Sequence, residues 1–412
     1  IFFQIQLQKL GQMFLMSSAV QLTTLPVMLY FFFEIPLYGI VINLFVIPLA
    51  SVLVILSFSG GVAGCIYMPL GKFILSNAYW LLKIYEAICR VFQKLPGHML
   101  IIGRPGWWQL LLYYLILSGI LAWLLYSFHK IDEMEYQKVP LQPEILRKKT
   151  KHLGKLLPAM CILLILPIPS AAFEITLLDV GQGDGIYIHT PKQQNILIDG
   201  GSTSEKQVGK YRILPFLKSR GIRQIDYMIA THADEDHING LEELINMSGD
   251  GYHIRQLFLP DVADKDQSGY VLLRKAAEQK HIPVRYLSTG SYFQSGGVSF
   301  VCLNPAAGNA FDSANAESIT LSMQYQNFSC LFTGDLEGAG EEALQNIISS
   351  ASTRQSYHIP EHYTVLKVAH HGSKNSTCEQ LLDRLKPECA LISCGRKNRY
   401  GHPHKELLER LV

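Results

Sequence analysis

The chain lacks the features of a secreted disulfide scaffold or of a thiolate metal protein. Its eight cysteines contain no C-x-x-C pair and no zinc-finger spacing, which argues against a disulfide framework and against a Cys-ligated metal. They read instead as small buried hydrophobes. Acidic residues are scarce in residues 1–171, which hold 13 Lys+Arg against 6 Asp+Glu, a net of +7. Residues 172–412 hold the other 23 Lys+Arg and 28 Asp+Glu, a net of −5. The total of +2 therefore hides a basic apolar half joined to an acidic one, and 412 residues exceed the usual size of a single domain. No internal repeat and no low-complexity tract is present. An initiator Met is missing as well: the chain opens at Ile1 inside an apolar pattern, so a longer parent protein is expected and no signal peptide is assigned.

What is abundant in the first half is apolar sequence. A spanning helix needs about 20 consecutive apolar residues, because the hydrocarbon core is roughly 30 Å thick. Residues 38–58 and 107–128 satisfy this without a charged residue, the latter with Trp107, Trp108 and Tyr126 as interfacial anchors. Residues 156–173 are shorter but long enough to cross. Residues 10–33 are apolar yet carry Ser17, Ser18, Gln21, Thr23, Thr24 and Pro26, which suits either helix packing or a hydrated path. Residues 59–95, with GGVAGC, fit a further span or an in-plane amphipathic helix. The organisation expected is transmembrane helices over 1–128, a basic cytoplasmic loop over 129–155, a last transmembrane helix over 156–173 and a hydrolase domain over 174–412. The loop contains Lys130, Lys138, Arg147, Lys148, Lys149, Lys151 and Lys155. Basic loops stay cytoplasmic, so this one sends the second half outside the plasma membrane.

From residue 173 the pattern changes to short strands punctuated by glycine and alternating with helices, the signature of a layered α/β enzyme. HADEDH places His232, Asp234, Asp236 and His237 directly after a buried strand, in a turn entering a helix. Imidazole and carboxylate groups converging within about 2.0–2.6 Å hold a divalent ion. A solvated acidic turn with a helix N-cap is the plainer reading of that motif alone. LIDGG with Asp199, LFTGD with Asp335 and VAHHGS with His370 and His371 each end another strand. Four strand ends meeting at one edge make a far more specific signal than any one motif.

HADEDH, with those groups, resembles the HxHxDH signature of the metallo-β-lactamase fold. The resemblance implies an αββα sandwich with a two-metal hydrolase site. LLDVGQGDGIYIHT, THADEDHINGL, LKVAHHGS and GRKNRYGHPH together resemble the ComEC family of competence proteins, in which such a domain follows a transmembrane segment that admits transforming DNA. Residues 19–51 also resemble the end of that membrane domain. The fold implied is an α-helical transmembrane segment followed by an α/β metallo-β-lactamase-like sandwich. The resemblance further implies a bacterial multi-pass plasma-membrane protein that passes single-stranded DNA through a channel, cleaves duplex or displaced strand outside, contacts lipid and works with other competence proteins.

Two departures from the pattern bear on the metal. Asp234 stands where the second His of HxHxDH would be, and 238–357 contain only His253 and His281, neither at a suitable strand end; Asn315 to Ser318 occupies roughly that place. One site is then oxygen-rich (His232, Asp234, bridging Asp335), and the other uses Asp236, His237, Asp335 and His370. This donor set favours two Mn²⁺, with Zn²⁺ the alternative. Asp199, His371, Asp179 and Asp184 are candidates for ligation or for orienting the ligands. Asp236, His402 and Lys374 are the catalytic candidates, His402 for contacting the scissile phosphate or protonating the leaving group. Arg396, Lys397 and Arg399 could hold a phosphate backbone, Tyr400 could stack on a base, and Ser373 could touch phosphate, although a helix N-cap explains it equally well. Two other functions compete: a membrane-tethered phosphodiesterase acting on a small or cell-wall substrate, and a DNA conduit with a non-catalytic binding domain. A small-solute transporter is disfavoured because the clear spans carry no charge.

Overall fold

A computed structural model describes residues 2–136, 156–166, 173–249 and 251–412. The chain divides into two compact units, residues 1–169 with 218–221 and residues 170–217 with 222–412.

The first unit is helical: α1 (Phe2–Phe32), α2 (Gly39–Ile66), α3 (Met68–Gln93), α4 (Trp107–Tyr136) and α5 (Leu156–Ile165). Among the described residues, three stretches are long and apolar enough to cross a membrane: Leu10–Phe32, Gly39–Ile66 and Trp107–Ser127. The region left open at 59–95 divides between the end of α2 and the separate helix α3. Glycines let the two backbones touch. A Cβ on Gly71 would lie 2.3 Å from the Gly64 Cα and 2.8 Å from the Gly60 carbonyl oxygen, so Gly60-x-x-x-Gly64 makes a small-residue seam.

Pro26 lies inside α1 and has no N–H to give the Leu22 carbonyl four residues back. Within an apolar unit that carbonyl needs another donor, and the Tyr113 hydroxyl from α4 donates to it at 2.7 Å. Tyr114 similarly donates to the Thr23 carbonyl at 3.0 Å. The Thr23 and Thr24 hydroxyls donate back to the Ala19 and Val20 carbonyls, so both polar groups are satisfied within α1 itself.

α4 runs past its apolar stretch to Tyr136, so the start of the expected basic loop, Lys130 included, is helical. Lys138, Arg147, Lys148, Lys149, Lys151 and Lys155 lie outside the described residues, as do residues 167–172 of the expected last span. The described helix there covers Leu156–Ile165, and Gln109 donates to the Leu163 carbonyl in its last turn and to the Leu166 carbonyl just after it.

The second unit is a sandwich. One sheet holds β1 (Glu174–Leu177), β2 (Ile186–His189), β3 (Asn195–Ile198), β4 (Tyr227–Ile229), β5 (Leu257–Pro260) and β6 (Val284–Leu287), in spatial order 6-5-4-3-2-1. The other holds β7 (Tyr292–Ser295), β8 (Val298–Asn304), β9 (Thr320–Tyr325), β10 (Phe328–Phe332), β11 (Val365–Lys367) and β12 (Cys389–Leu391), in order 7 to 12. The strands from β3 to β6 are parallel, as are those from β10 to β12, and the rest pair antiparallel.

Period-2 alternation builds two cores. Ile186, Ile188, Ile196, Ile198, Phe300, Cys302, Leu321, Met323, Cys330 and Phe332 fill the space between the sheets. Val301, Leu303 and Leu331 face the other way and pack with Leu344 and Ile348 of α8 (Ala339–Ser349) and Leu381 and Leu385 of α9 (Glu379–Leu385). Helices α6 (Glu235–Met247) and α7 (Ser268–Gln279), which come between strands of the first sheet, bury Leu241, Leu244, Leu273 and Ala276. The layers are αββα, as expected.

Candidate metal centre

Each group arrives at the end of a strand. Asp199 follows β3 with φ +54°, and its carboxylate accepts from the Thr231 N–H and hydroxyl, both at 2.8 Å. Thr231 and His232 follow β4, Asp234 precedes α6, and Asp236 and His237 lie in its first turn. That turn presses on the loop after β3: a Cβ on Gly201 would meet the Asp236 backbone at 2.2 Å. Only glycine permits the approach, and it is held by Gly200 N–H donating to the His237 carbonyl at 2.9 Å. Asp335 follows β10 across the sandwich, and His370 and His371 follow β11 in left-handed backbone, φ +47° and +53°.

These ends meet at one carboxylate oxygen. Asp335 Oδ2 lies 3.2 Å from His237 Nε2, 3.2 Å from His371 Nε2 and 3.9 Å from His370 Nε2. Asp236 Oδ2 is 3.3 Å from His371 Nε2, and Asp234 Oδ2 is 3.6 Å from His232 Nε2. His237 Nδ1 is held by Asp199 at 2.9 Å, so its Nε2 faces inward. The sets His232/His237/Asp335 and Asp236/His237/His371 each bring one donor atom per residue within 4.8 Å of the others.

Among the described residues, the buried Nε2 atoms of His232, His237 and His371 have carboxylate oxygens 3.2–3.6 Å away but make no well-aligned hydrogen bond. Inward-facing ligand atoms left in this state inside a carboxylate-rich pocket fit divalent ions, which would satisfy them together. Electrostatics agree. Burial disfavours a charged His237, yet Asp335 and Asp199 outweigh it and hold the ring well above the ordinary imidazole value. Burial likewise opposes charge on His371, but Asp335 and Asp184 raise it. Burial opposes ionisation of Asp335, and His237 and His371 still hold its carboxyl well below the usual range.

The structure separates the two adjacent histidines. His371 is the one inside the cluster, whereas His370 stands at the rim with Nδ1 on Glu337 at 2.8 Å. Of the two candidates the geometry favours His371 over His370, because the left-handed turn points the second ring, not the first, at Asp236. Asp179 stands apart from the ligand candidates: it is exposed and pairs with Arg212 at 3.4 Å. Ser373 is buried and its hydroxyl accepts from Asn375 N–H at 3.2 Å, which is turn chemistry rather than an open phosphate contact. Lys374 is exposed. Asp184 is buried and paired with Lys367, with Oδ1 3.6 Å from His371 Nδ1.

Arg396, Lys397, Arg399 and Tyr400 form an exposed rim. Asn398 shapes it, donating to the Gly395 and His402 carbonyls and accepting from the Tyr400 and His402 N–H groups. Tyr400 stacks on His402 at 5.7 Å between centroids, with the Arg399 guanidinium 5.0 Å from the Tyr400 ring centroid. His402 is 5.6 Å from the His370 ring. Burial, with His370, His404 and His371, pushes His402 down to about 4, so it is neutral at pH 7.

Sequence reasoning missed Glu337, which also accepts from Asn315 at 2.9 Å, and Gln182, which accepts from Gly395 N–H at 2.9 Å. It also missed Lys367, whose signal was a lone cation in the apolar strand TVLKVAH.

The Competence protein family model matches residues 2–127, and the Metallo-beta-lactamase superfamily model matches residues 178–299. The second match takes in Asp199, His232, Asp234, Asp236 and His237, and the β10 and β11 ends bring Asp335 and His371 to them. The chain is 28% identical to ComE operon protein 3 of Bacillus subtilis (strain 168), over 98% of this chain and 49% of that protein. It is 28% identical to Competence protein ComA of Neisseria gonorrhoeae, over 59% of this chain and 30% of that one. It is 29% identical to Recombination protein 2 of Haemophilus influenzae, over 63% of this chain and 29% of that one. The chain thus spans about half the length of the first relative and less of the other two.

Proposed function

Because the chain belongs to the ComEC family of competence proteins, we propose that its second half is a two-metal phosphodiesterase acting on DNA at the outer face of the bacterial plasma membrane. On this reading one strand is degraded there while the other passes the membrane unit, with lipid around the helices and other competence proteins as partners. The observation that carries the proposal is the convergence of buried imidazole nitrogens on Asp335 Oδ2 from both sheets, without a well-aligned hydrogen bond to any of them.

His232, Asp234 and Asp335 would hold one ion, and Asp236, His237, His371 and Asp335 the other. Two such ions, Mn²⁺ by the oxygen-rich donor set and Zn²⁺ as the alternative, supply a polarised water and positive charge beside the phosphate. Asp199 fixes the His237 tautomer through Nδ1, and Thr231 fixes Asp199. His402, neutral and at the mouth, offers a hydrogen bond to a phosphate oxygen rather than a proton to the leaving group. Arg396, Lys397 and Arg399 track the backbone, Lys374 adds charge at the rim, and Tyr400 presents a stacking face for an unpaired base. Two bound ions would also bring the −5 of this half to about −1.

The test is nucleotide release from linear DNA by the purified full chain in detergent with Mn²⁺, beside Asp236→Ala. Equal activity in both removes the catalytic assignment. DNA retained on a gel but left intact favours a conduit, and cleavage of a generic phosphodiester without DNA favours a small-substrate enzyme. Protease access from outside intact cells tests the topology; protection of the second half would reverse it.

A further inference from the structure

Lys367 ends β11 in the interior of the cluster, fully buried. Its ammonium pairs with Asp184 Oδ2, donates to the Gly334 carbonyl at 3.0 Å and stands 3.9 Å from Asp335 Oδ1. Asp184 otherwise has the makings of a ligand. It belongs to two groups with donor atoms within 4.8 Å, Asp184/Asp199/His237 and Asp184/Asp335/His371. A buried carboxylate among such neighbours demands a cation, and here the chain supplies one covalently. The two oxygens of Asp335 are thereby divided: Oδ1 turns toward the ammonium and Oδ2 toward the three imidazoles.

We propose that Lys367 is a resident cation that claims Asp184, keeps it from ligating metal and, by drawing Asp335 Oδ1 toward itself, leaves Oδ2 as the shared donor, so that the pocket takes two divalent ions and no third. This rests on the two-metal reading above. Lys367 is in these terms a positioning residue: it would touch neither metal nor substrate, and it sets which carboxylate oxygens are available.

The experiment uses the full chain in detergent, stripped with EDTA and reloaded with Mn²⁺, with bound metal counted by elemental analysis and folding followed by circular dichroism. Wild type should hold about two ions per chain and Lys367→Met about three, because Asp184 is then a free buried anion among ligands. Asp184→Asn, and Asp184→Asn combined with Lys367→Met, should both hold about two. Two ions in folded Lys367→Met overturn the inference while leaving the two-metal reading intact. Loss of an ion in Asp184→Asn also overturns it, by showing Asp184 to be a ligand, and this variant decides the matter if Lys367→Met does not fold. Wild type that binds no metal overturns the two-metal reading itself, and this inference with it.

Discussion

Replacing His371 and His370 one at a time by alanine should separate two neighbours that look equivalent in VAHHGS. His371 Nε2 lies 3.2 Å from Asp335 and 3.3 Å from Asp236, and the ring is 1% exposed. His371→Ala deletes a donor from one ligand set. Orienting partners of ligands are worth about 10–100-fold in metal affinity, so a ligand should cost at least about 100-fold, or about 2.7 kcal/mol. Without metal it also leaves Asp335 and Asp236 short of a buried countercharge, a loss on the order of 3 kcal/mol. For a domain of this size that lowers Tm by roughly 6–12 °C. His370 is 3.9 Å from Asp335 and spends Nδ1 on Glu337 at the rim. His370→Ala should cost about tenfold in affinity or less and shift Tm by a few degrees at most. Calorimetric Mn²⁺ titration and scanning fluorimetry of EDTA-treated protein read both quantities. Equal losses in the two variants, or a larger loss in His370→Ala, would refute the assignment of the inner ring.

Metal loading should release protons. His237 and His371 are held above the ordinary imidazole value in the metal-free pocket, so both are protonated near neutrality and compete with the ion. Mn²⁺ affinity should therefore rise as pH rises from about 6 to 8, and titrations in buffers of different ionisation enthalpy should give different apparent heats; identical heats would count against it. EDTA should lower Tm by roughly 5–10 °C relative to protein held at about 100 times the dissociation constant. Neutralising Arg396, Lys397 and Arg399 together should reduce the salt slope of single-strand binding by about 2, with little change in metal content. In the membrane unit, Tyr113→Phe should cost about 1 kcal/mol, and less in a Pro26→Ala background, where the Leu22 carbonyl regains its backbone donor; equal costs in both backgrounds would show that the hydroxyl serves something else.

Much of this was legible because strand-end motifs are local. HADEDH, LIDGG and LFTGD each announce a carboxylate or imidazole at a fixed offset from an apolar run, and the sandwich follows from period-2 strands whose alternate residues are apolar on both faces. What stayed hidden depended on backbone conformation or on partners distant in sequence. Two left-handed residues decide which ring of HHG points inward, and no spacing rule conveys that. Asp179 and Asp184 sit in one motif, DVGQGD, yet one meets Arg212 at the surface and the other Lys367 in the interior. Lys367 escaped notice because a lone charge near a motif looks like surface chemistry until the opposite sheet is seen to cover it, and Glu337 because its partners, His370 and Asn315, are distant in sequence. The continuation of α4 past its apolar stretch to Tyr136 carried no periodic signal, since HKIDEMEY has good helix formers but no apolar pattern.

Asp335 and His371 come from one sheet of the sandwich, and His232, Asp236 and His237 from the other. An ion gripped by both would act as a staple across the domain, much as a cross-link does. Emptying the pocket should therefore loosen packing well beyond it: amide hydrogens along β3, β4, β10 and β11 should exchange faster together in the stripped protein, as one cooperative body. A domain built this way would report its own readiness, because only the loaded form would be stiff.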